Sequence, residues 1–265
     1  MKFANQVAIV TGAGRGIGRA IAMRFASEGA RVAVVSRTEK NSEQVAEEIN
    51  AKFAGLAKGY AVDVADHAAV QALCEKIDAD FSRVDILVNN AGITRDGLSM
   101  RMSPEDWDVV LETNLKGAFN FYQGVARGMM KQRSGRIINI ASVAGFCAGP
   151  QMSAYNASKA AVIALSETLM QEYGAYGVRT MVVMPAFFRT SIIDNGRGPA
   201  RVLDAARKLI DKSNLEAPEV AEAILMAASR GRTHLVYPPK YRGLWWLKRF
   251  MPQRWHQIFP RLTRR

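Results

Sequence analysis

The feature that most constrains this chain is a glycine turn set between an apolar run and a helical pattern. Val7, Ala8, Ile9 and Val10 read as a buried strand that stops at Thr11. Gly12-Ala13-Gly14-Arg15-Gly16-Ile17-Gly18 follows, and Arg19 to Glu28 then carries Ile21, Ala22 and Phe25 at helical spacing. A strand, a glycine turn and a helix start make an anion site. Glycines let the backbone approach a pyrophosphate, and the N–H groups and dipole of the helix N-terminus hold its charge. The strict G-x-G-x-x-G fingerprint is absent, because Ile17 stands where its third glycine would be.

The alternation of strand and helix patterns continues along the chain. Strands are expected at Arg31 to Val35, Gly59 to Val62, Val84 to Val88, Arg136 to Ile140, Val178 to Val183 and His234 to Tyr237. Helices fill the gaps, notably Pro104 through Met130 and Ser153 through Tyr173. This pattern predicts an α/β fold, a single Rossmann-type doubly wound parallel sheet with helices on both faces. At 265 residues and 49% hydrophobic content, one large core is expected. No Pro-rich or Gly/Ser-rich linker divides the chain, so residues 1–239 read as the domain and 240–265 as a tail. Ligands on such sheets bind at the carboxyl ends of strands, where Asn89, Ser142 and Pro185 fall.

Cys74 and Cys147 are too few for a disulfide framework, which fits a reducing cytoplasm. His67, His234 and His256 show no ligand spacing, so neither a zinc site nor a Ser-His hydrolase is supported. The first apolar stretch runs straight into the glycine turn, unlike a signal peptide. No run reaches the roughly 18 apolar residues of a membrane span.

Tyr155 and Lys159 stand four residues apart, thirteen and seventeen residues beyond Ser142. On a helix they share one face, with the Lys159 ammonium beside the Tyr155 phenol. A free phenol titrates at about 10, and each unit of lowering takes about 1.4 kcal/mol of preference for the phenolate. A cation at roughly 4 Å in an effective dielectric of about 20 offers about 4 kcal/mol, so one lysine suffices. The spacing alone also describes a surface tyrosine beside a solvated lysine, and the surrounding motifs decide between the two.

With Thr11-Gly12-x-x-x-Gly16-x-Gly18, Asn89-Asn90-Ala91-Gly92, Asn114, Ser142, Tyr155 and Lys159 in that order, the chain resembles the short-chain dehydrogenase/reductase family over about residues 4 to 230. The resemblance implies hydride transfer, without a metal, between a nicotinamide and a ketone or secondary alcohol. It gives Tyr155 the proton transfer, Ser142 the substrate oxygen, Lys159 the lowering of the tyrosine pKa and the nicotinamide ribose, and Asn114 a water that leads protons away. It places the cofactor against Gly12, Arg15, Gly16, Ile17, Gly18, Ser36, Arg37, Asn90, Ala91, Gly92, Pro185, Tyr155 and Lys159. Asp63 and Val64 fall at the adenine edge and Thr190 at the carboxamide. Taken singly, Ser142 also reads as a strand-end turn residue and Asn114 as a satisfied core amide. The family often forms homotetramers or dimers.

The place where a carboxylate would bind free ribose hydroxyls holds Ser36 and Arg37. A guanidinium there meets a 2′-phosphate, with Arg15 able to join it, which points to NADP(H); the alternative is two solvated loop arginines. The stretch Asn89 to Met102 is similar to that of 3-oxoacyl carrier protein and acetoacetyl-CoA reductases. Two features depart from that group. Pro185-Ala186 replaces the common Pro-Gly, and the last strand runs into Pro238-Pro239 rather than a glycine-rich stretch. These argue against fatty-acid elongation and leave the substrate an apolar or acyl-type ketone or alcohol.

After Glu222 there is no acidic residue, while Arg230, Arg232, Lys240, Arg242, Lys248, Arg249, Arg254, Arg261, Arg264 and Arg265 supply ten charges of the net +12. At roughly 100° per residue, Leu244, Trp246, Leu247, Phe250 and Met251 fall on one side of a helix, and Trp255, Ile258 and Phe259 repeat the spacing. This composition describes a basic amphipathic tail. It fits an anchor on an anionic membrane surface, in a cytoplasmic protein peripheral to the inner face of a membrane, and equally an arm packed on its own or a neighbouring subunit. No nucleic-acid motif accompanies the charge. Two functions follow, an NADP(H)-dependent oxidoreductase or a non-catalytic binding protein that uses the tail to hold a partner. The intact Ser142, Tyr155 and Lys159 favour the first.

Overall fold

The structure, a computed structural model, describes residues 1–53, 55–186, 198, 204, 207–208, 213 and 215–263. Seven strands form one parallel sheet: β1 (Val7–Thr11), β2 (Arg31–Ser36), β3 (Ala57–Ala61), β4 (Ile86–Asn89), β5 (Gly135–Ile140), β6 (Val178–Pro185) and β7 (His234–Tyr237). Their order is β3-β2-β1-β4-β5-β6-β7. The chain reverses its direction of travel across the sheet between β1 and β4, which opens a crevice at their carboxyl ends.

Alternate strand residues supply two cores. Ala8, Val10, Val32, Val34, Val88 and Ile138 face one side, against Ile21 and Phe25 of α1 (Gly16–Ser27), Val45 and Ile49 of α2 (Glu39–Lys52), and Ile224 of α8 (Ala217–Ser229). Val7, Ile9, Val35, Leu87 and Ile137 face the other. Ile77 of α3 (His67–Phe81), Phe121 and Met129 of α5 (Gly117–Lys131) and Leu169 of α7 (Ser153–Gly174) cover them. The strands read as continuous apolar runs because both faces are buried, each side chain contributing about 1.5–3 kcal/mol.

Strand ends shift by one or two residues from the sequence reading, β3 beginning at Ala57 and β4 at Ile86, and two helices differ more. The helix expected through Pro104 to Met130 is broken: α4 (Pro104–Leu111) passes into a π-helical turn, Glu112–Lys116, before α5 begins. Ser103 caps α4 by accepting from the Asp106 N–H at 3.1 Å. The π turn leaves no mark on apolar periodicity because its one extra residue is absorbed within a turn. At the other end, α1 begins at Gly16 rather than Arg19, since glycines carry no side chain from which to read a period.

Beyond β7 come α9 (Arg242–Phe250) and α10 (Pro252–Thr263), with the short α6 (Ala144–Cys147) beneath α9. Tyr241, Leu244 and Trp245 pack on a third core of Ala141, Val143, Phe146, Val182 and Met184, so the tail's first helix is seated on the domain. Among the described residues, no helix is long and apolar enough to cross a membrane.

Candidate active site

The glycine turn is built from its contacts outward. Thr11, the last residue of β1, accepts at Oγ1 from the N–H groups of Asn90 (2.9 Å) and Ala91 (3.0 Å). Asn90 returns its Nδ2 to the Thr11 carbonyl at 2.9 Å. This clasp locks the ends of β1 and β4 together and brings the turn so close that glycine is required. A Cβ on Gly12, whose φ is +63°, would lie 2.9 Å from the Ala91 Cα, and one on Gly18 would lie 2.3 Å from the Gly12 carbonyl oxygen. Arg15 occupies the N-cap of α1, where no side chain caps the first turn and no acidic residue enters it. The N-terminal N–H groups and the helix dipole therefore stand available to an anion.

Ser142 lies two residues past β5 and is held there, its Oγ accepting from the Ala144 N–H at 3.1 Å. Tyr155 and Lys159 project from the first two turns of α7, both buried. The Tyr155 hydroxyl shares a side-chain hydrogen bond with Ser142. Lys159 Nζ donates to the Ile140 carbonyl at 2.8 Å and lies 5.7 Å from the Tyr155 ring centroid. Asn114, buried in the π turn, accepts from the Ile93 N–H at 2.8 Å and donates to the Ile93 carbonyl and to Ser158 Oγ, each at 3.0 Å. Gly92 sits between Asn114 and Lys159: a Cβ there would be 3.3 Å from Asn114 Oδ1 and 3.4 Å from Lys159 Nζ.

Burial is the first influence on both groups. Burial pushes Tyr155 up to about 12, the Ser142 hydrogen bond works against that rise, and the Asp96 carboxylate adds to it. Burial also lowers Lys159 to about 8. In both groups the loss of water on burial is the largest cause, and the bond to Ile140 takes one of the three N–H groups of Lys159.

The remaining predicted residues frame the same crevice. Ser36 ends β2 with its Oγ donating to the Thr38 carbonyl at 2.5 Å, and a Cβ on Gly14 would press on Ser36 and Asn41. Arg15 and Arg37 are exposed on this rim, and the Val62 N–H donates to the Ser36 carbonyl at 3.0 Å, which brings Asp63 and Val64 alongside. Asp63 Oδ1 accepts from the Ala65 N–H, and the Val64 carbonyl accepts from Asn120 Nδ2 at 2.8 Å. Gly16 opens α1 and is followed by Ile17. The Pro185 carbonyl accepts from the Val143 N–H at 3.0 Å, tying the end of β6 to the Ser142 turn. Thr190 lies outside the described residues.

Sequence reasoning missed two participants. Ser158 joins Asn114 to the Tyr155 carbonyl, to which it donates at 2.8 Å. Its only sequence signal was its place beside Lys159. Asp96, buried and held by the Thr94 hydroxyl, bears on the Tyr155 phenol, and burial raises its own carboxyl. Nothing in the spacing marked it.

The profile of the family described as short chain dehydrogenase matches residues 6–198. The chain is 43% identical over 192 residues to a 3-oxoacyl-(acyl-carrier-protein) reductase of Escherichia coli strain K12, a match covering 72% of this chain and 77% of that one. It is 38% identical over 230 residues to the protein of the same name from Thermotoga maritima, covering 86% and 92%. A short chain dehydrogenase/reductase from Burkholderia phymatum, solved in complex with NAD, superposes with a TM-score of 0.87 at 31% identity over 94% of each chain. A metagenomic short-chain oxidoreductase solved in complex with NADP gives 0.75 at 30% identity, covering 89% of this chain and 98% of that one.

Proposed function

This chain belongs to the short-chain dehydrogenase family, and on that footing we propose that it is an NADP(H)-dependent oxidoreductase acting on an apolar or acyl-type ketone or the matching secondary alcohol. The observation that carries this reading is the convergence of buried Ser142, Tyr155 and Lys159 at the carboxyl end of β5. When bound, the nicotinamide supplies or accepts the hydride.

The crevice fits a dinucleotide on its own geometry. The uncapped N-terminus of α1 suits a pyrophosphate, with Gly12, Gly16, Ile17 and Gly18 lining the approach. Ser36, Arg37 and Arg15 present a hydroxyl and two guanidinium groups and no carboxylate at the end of β2, which suits a 2′-phosphate. Asp63, Val64, Asn90, Ala91, Gly92 and Pro185 line the rest, and we assign Thr190 to the same site from its place in the sequence.

Tyr155 is protonated over the whole physiological range, being held at about 12, and donates that proton to the ketone oxygen as charge develops on it. Ser142, its Oγ oriented by the Ala144 N–H, binds the same oxygen. Lys159 carries a positive charge below about pH 8 and stabilises the phenolate left behind. Both ends of the Asn114 amide are committed to Ile93 and Ser158, so its side chain acts as a positioning group. We assign to Asn114 the water-holding part that the family implies. We also assign the chain to a homodimer or tetramer, supported by the exposed Trp107 of α4 and Phe119 of α5.

The test is oxidation of NADPH in the presence of a ketone panel graded by chain length and by thioester against free ketone. Turnover with at least one member supports the reading. Absence of turnover with every member and both nicotinamides, despite cofactor binding, would leave the fold as a binding protein.

A further inference from the structure

The two helices after β7 do not complete the sheet, and their outer surface is unlike the rest of the molecule. The inner side of α9 is satisfied. Tyr241, Leu244 and Trp245 lie on the third core, Lys248 Nζ donates to the Phe146 carbonyl at 2.6 Å, and Arg249 stands 3.7 Å from Glu167. Leu244 therefore faces inward, apart from the residues with which its helical angle grouped it. In α10, Trp255 is only 1% exposed and its ring stacks on Phe259 at 4.6 Å, so that helix too has an inner side.

The outer side of α9 is aromatic. Trp246 and Phe250 stack on each other, with centroids 5.3 Å apart and planes 9° apart, yet are 48% and 73% exposed. Met251 continues the patch. Arg242, four residues before Trp246, is exposed on the same side, and Arg254 is exposed in the first turn of α10. No acidic residue occurs after Glu222, so the six positive charges within 240–263 meet no counter-charge from the segment itself. A two-fold contact between copies through this face would set like charges against each other across the same patch. What suits an apolar centre with a basic rim is a surface that is anionic outside and apolar beneath.

We propose that residues 240–263 dock on an anionic phospholipid bilayer, with Trp246, Phe250 and Met251 seated at the headgroup boundary and Arg242 and Arg254 on the lipid phosphates. The docking bears on the active site. α9 rests on α6, which begins two residues after Ser142, and Lys248 holds the Phe146 carbonyl of that same short helix. The bilayer then lies on the Ser142 side of the crevice, and the substrate is an apolar carbonyl compound partitioned in the lipid. This last step rests on the proposed reaction, whereas the docking does not.

The experiment is co-sedimentation of the full chain with vesicles of phosphatidylcholine alone and of phosphatidylcholine with phosphatidylglycerol, beside the double variant Trp246→Ser, Phe250→Ser. Both positions are exposed, so the thermal melt of the variant should match that of the parent. The expected result is sedimentation with anionic vesicles at low salt, at least tenfold weaker for the variant and weaker for both as salt rises. Failure of the full chain to sediment, equal sedimentation of the variant, or equal binding to neutral vesicles would overturn the proposal. A fall in oligomeric mass of the variant by light scattering would overturn it in favour of a contact between copies. A second arm measures reduction of a short water-soluble ketone and of a ketone dissolved in the vesicles. The variant should lose only the second. If the parent reduces neither, the reaction reading fails while the sedimentation result stands.

Discussion

Lys159 Nζ donates to the Ile140 carbonyl at 2.8 Å, joining the start of α7 to the last residue of β5. That bond takes one of the three N–H groups of the ammonium and seats Nζ 5.7 Å from the Tyr155 ring centroid. Tyr155 answers to burial first, and its partner in hydrogen bonding is Ser142. In the reaction proposed above, the protonated Tyr155 is the group that gives a proton on reduction.

Replacing Tyr155 by Phe keeps the ring and removes the transferable proton. Turnover should fall at least about a hundredfold while nicotinamide binding, read by fluorescence titration, persists. A variant that keeps most of its activity would remove Tyr155 from the mechanism.

Lys159 makes stability depend on pH with a definite sign. Its folded pKa of about 8 lies below the ordinary value of 10.5. The full cost of burying the charge is therefore present below pH 8 and is relieved as pH rises toward 10.5, because the unfolded chain then binds more protons. Between pH 7 and 9.5 the parent should gain about 2 kcal/mol relative to Lys159→Met in denaturant unfolding. A flat difference across that window would show that the lysine is well solvated.

A preference for NADPH over NADH of at least about tenfold is expected, since a charge-assisted bond to phosphate contributes about 1.5–3 kcal/mol. Arg37→Asp should narrow or reverse it, as read from the two dissociation constants. Equal constants in the parent would count against Arg37 as a phosphate ligand.

Ser158→Ala removes the acceptor that Asn114 Nδ2 uses beyond Ile93. Stability should drop by about 1–3 kcal/mol, with kcat falling more than KM rises, because the displaced group positions and does not bind. Rescue by Ser158→Thr, which restores the hydroxyl, separates this role from simple packing loss.

Gly92→Ala would set a methyl 3.3 Å from Asn114 Oδ1 and 3.4 Å from Lys159 Nζ. The expected outcome is a loss of kcat of about tenfold or more with little change in melting temperature, since a few tenths of an ångström matter to alignment more than to stability. An unchanged kcat would show that Lys159 shifts without consequence.

The order of strands and helices, the glycine turn and the succession Ser142, Tyr155, Lys159 were legible in the sequence. Each is a local matter, whether a period of apolar residues or a residue type at fixed spacing. The π turn at Asn114, the inward facing of Leu244 and the nearness of Asp96 to Tyr155 were not. Each depends on which distant surface a segment meets.

By itself the sequence determined a doubly wound sheet with an anion-binding turn at its first strand, because burial on both faces and glycine at tight approaches are written into residue types. Only the tertiary structure decided how deeply Tyr155 and Lys159 are buried. Desolvation depends on everything packed around Tyr155 and Lys159, which spacing along one helix does not record.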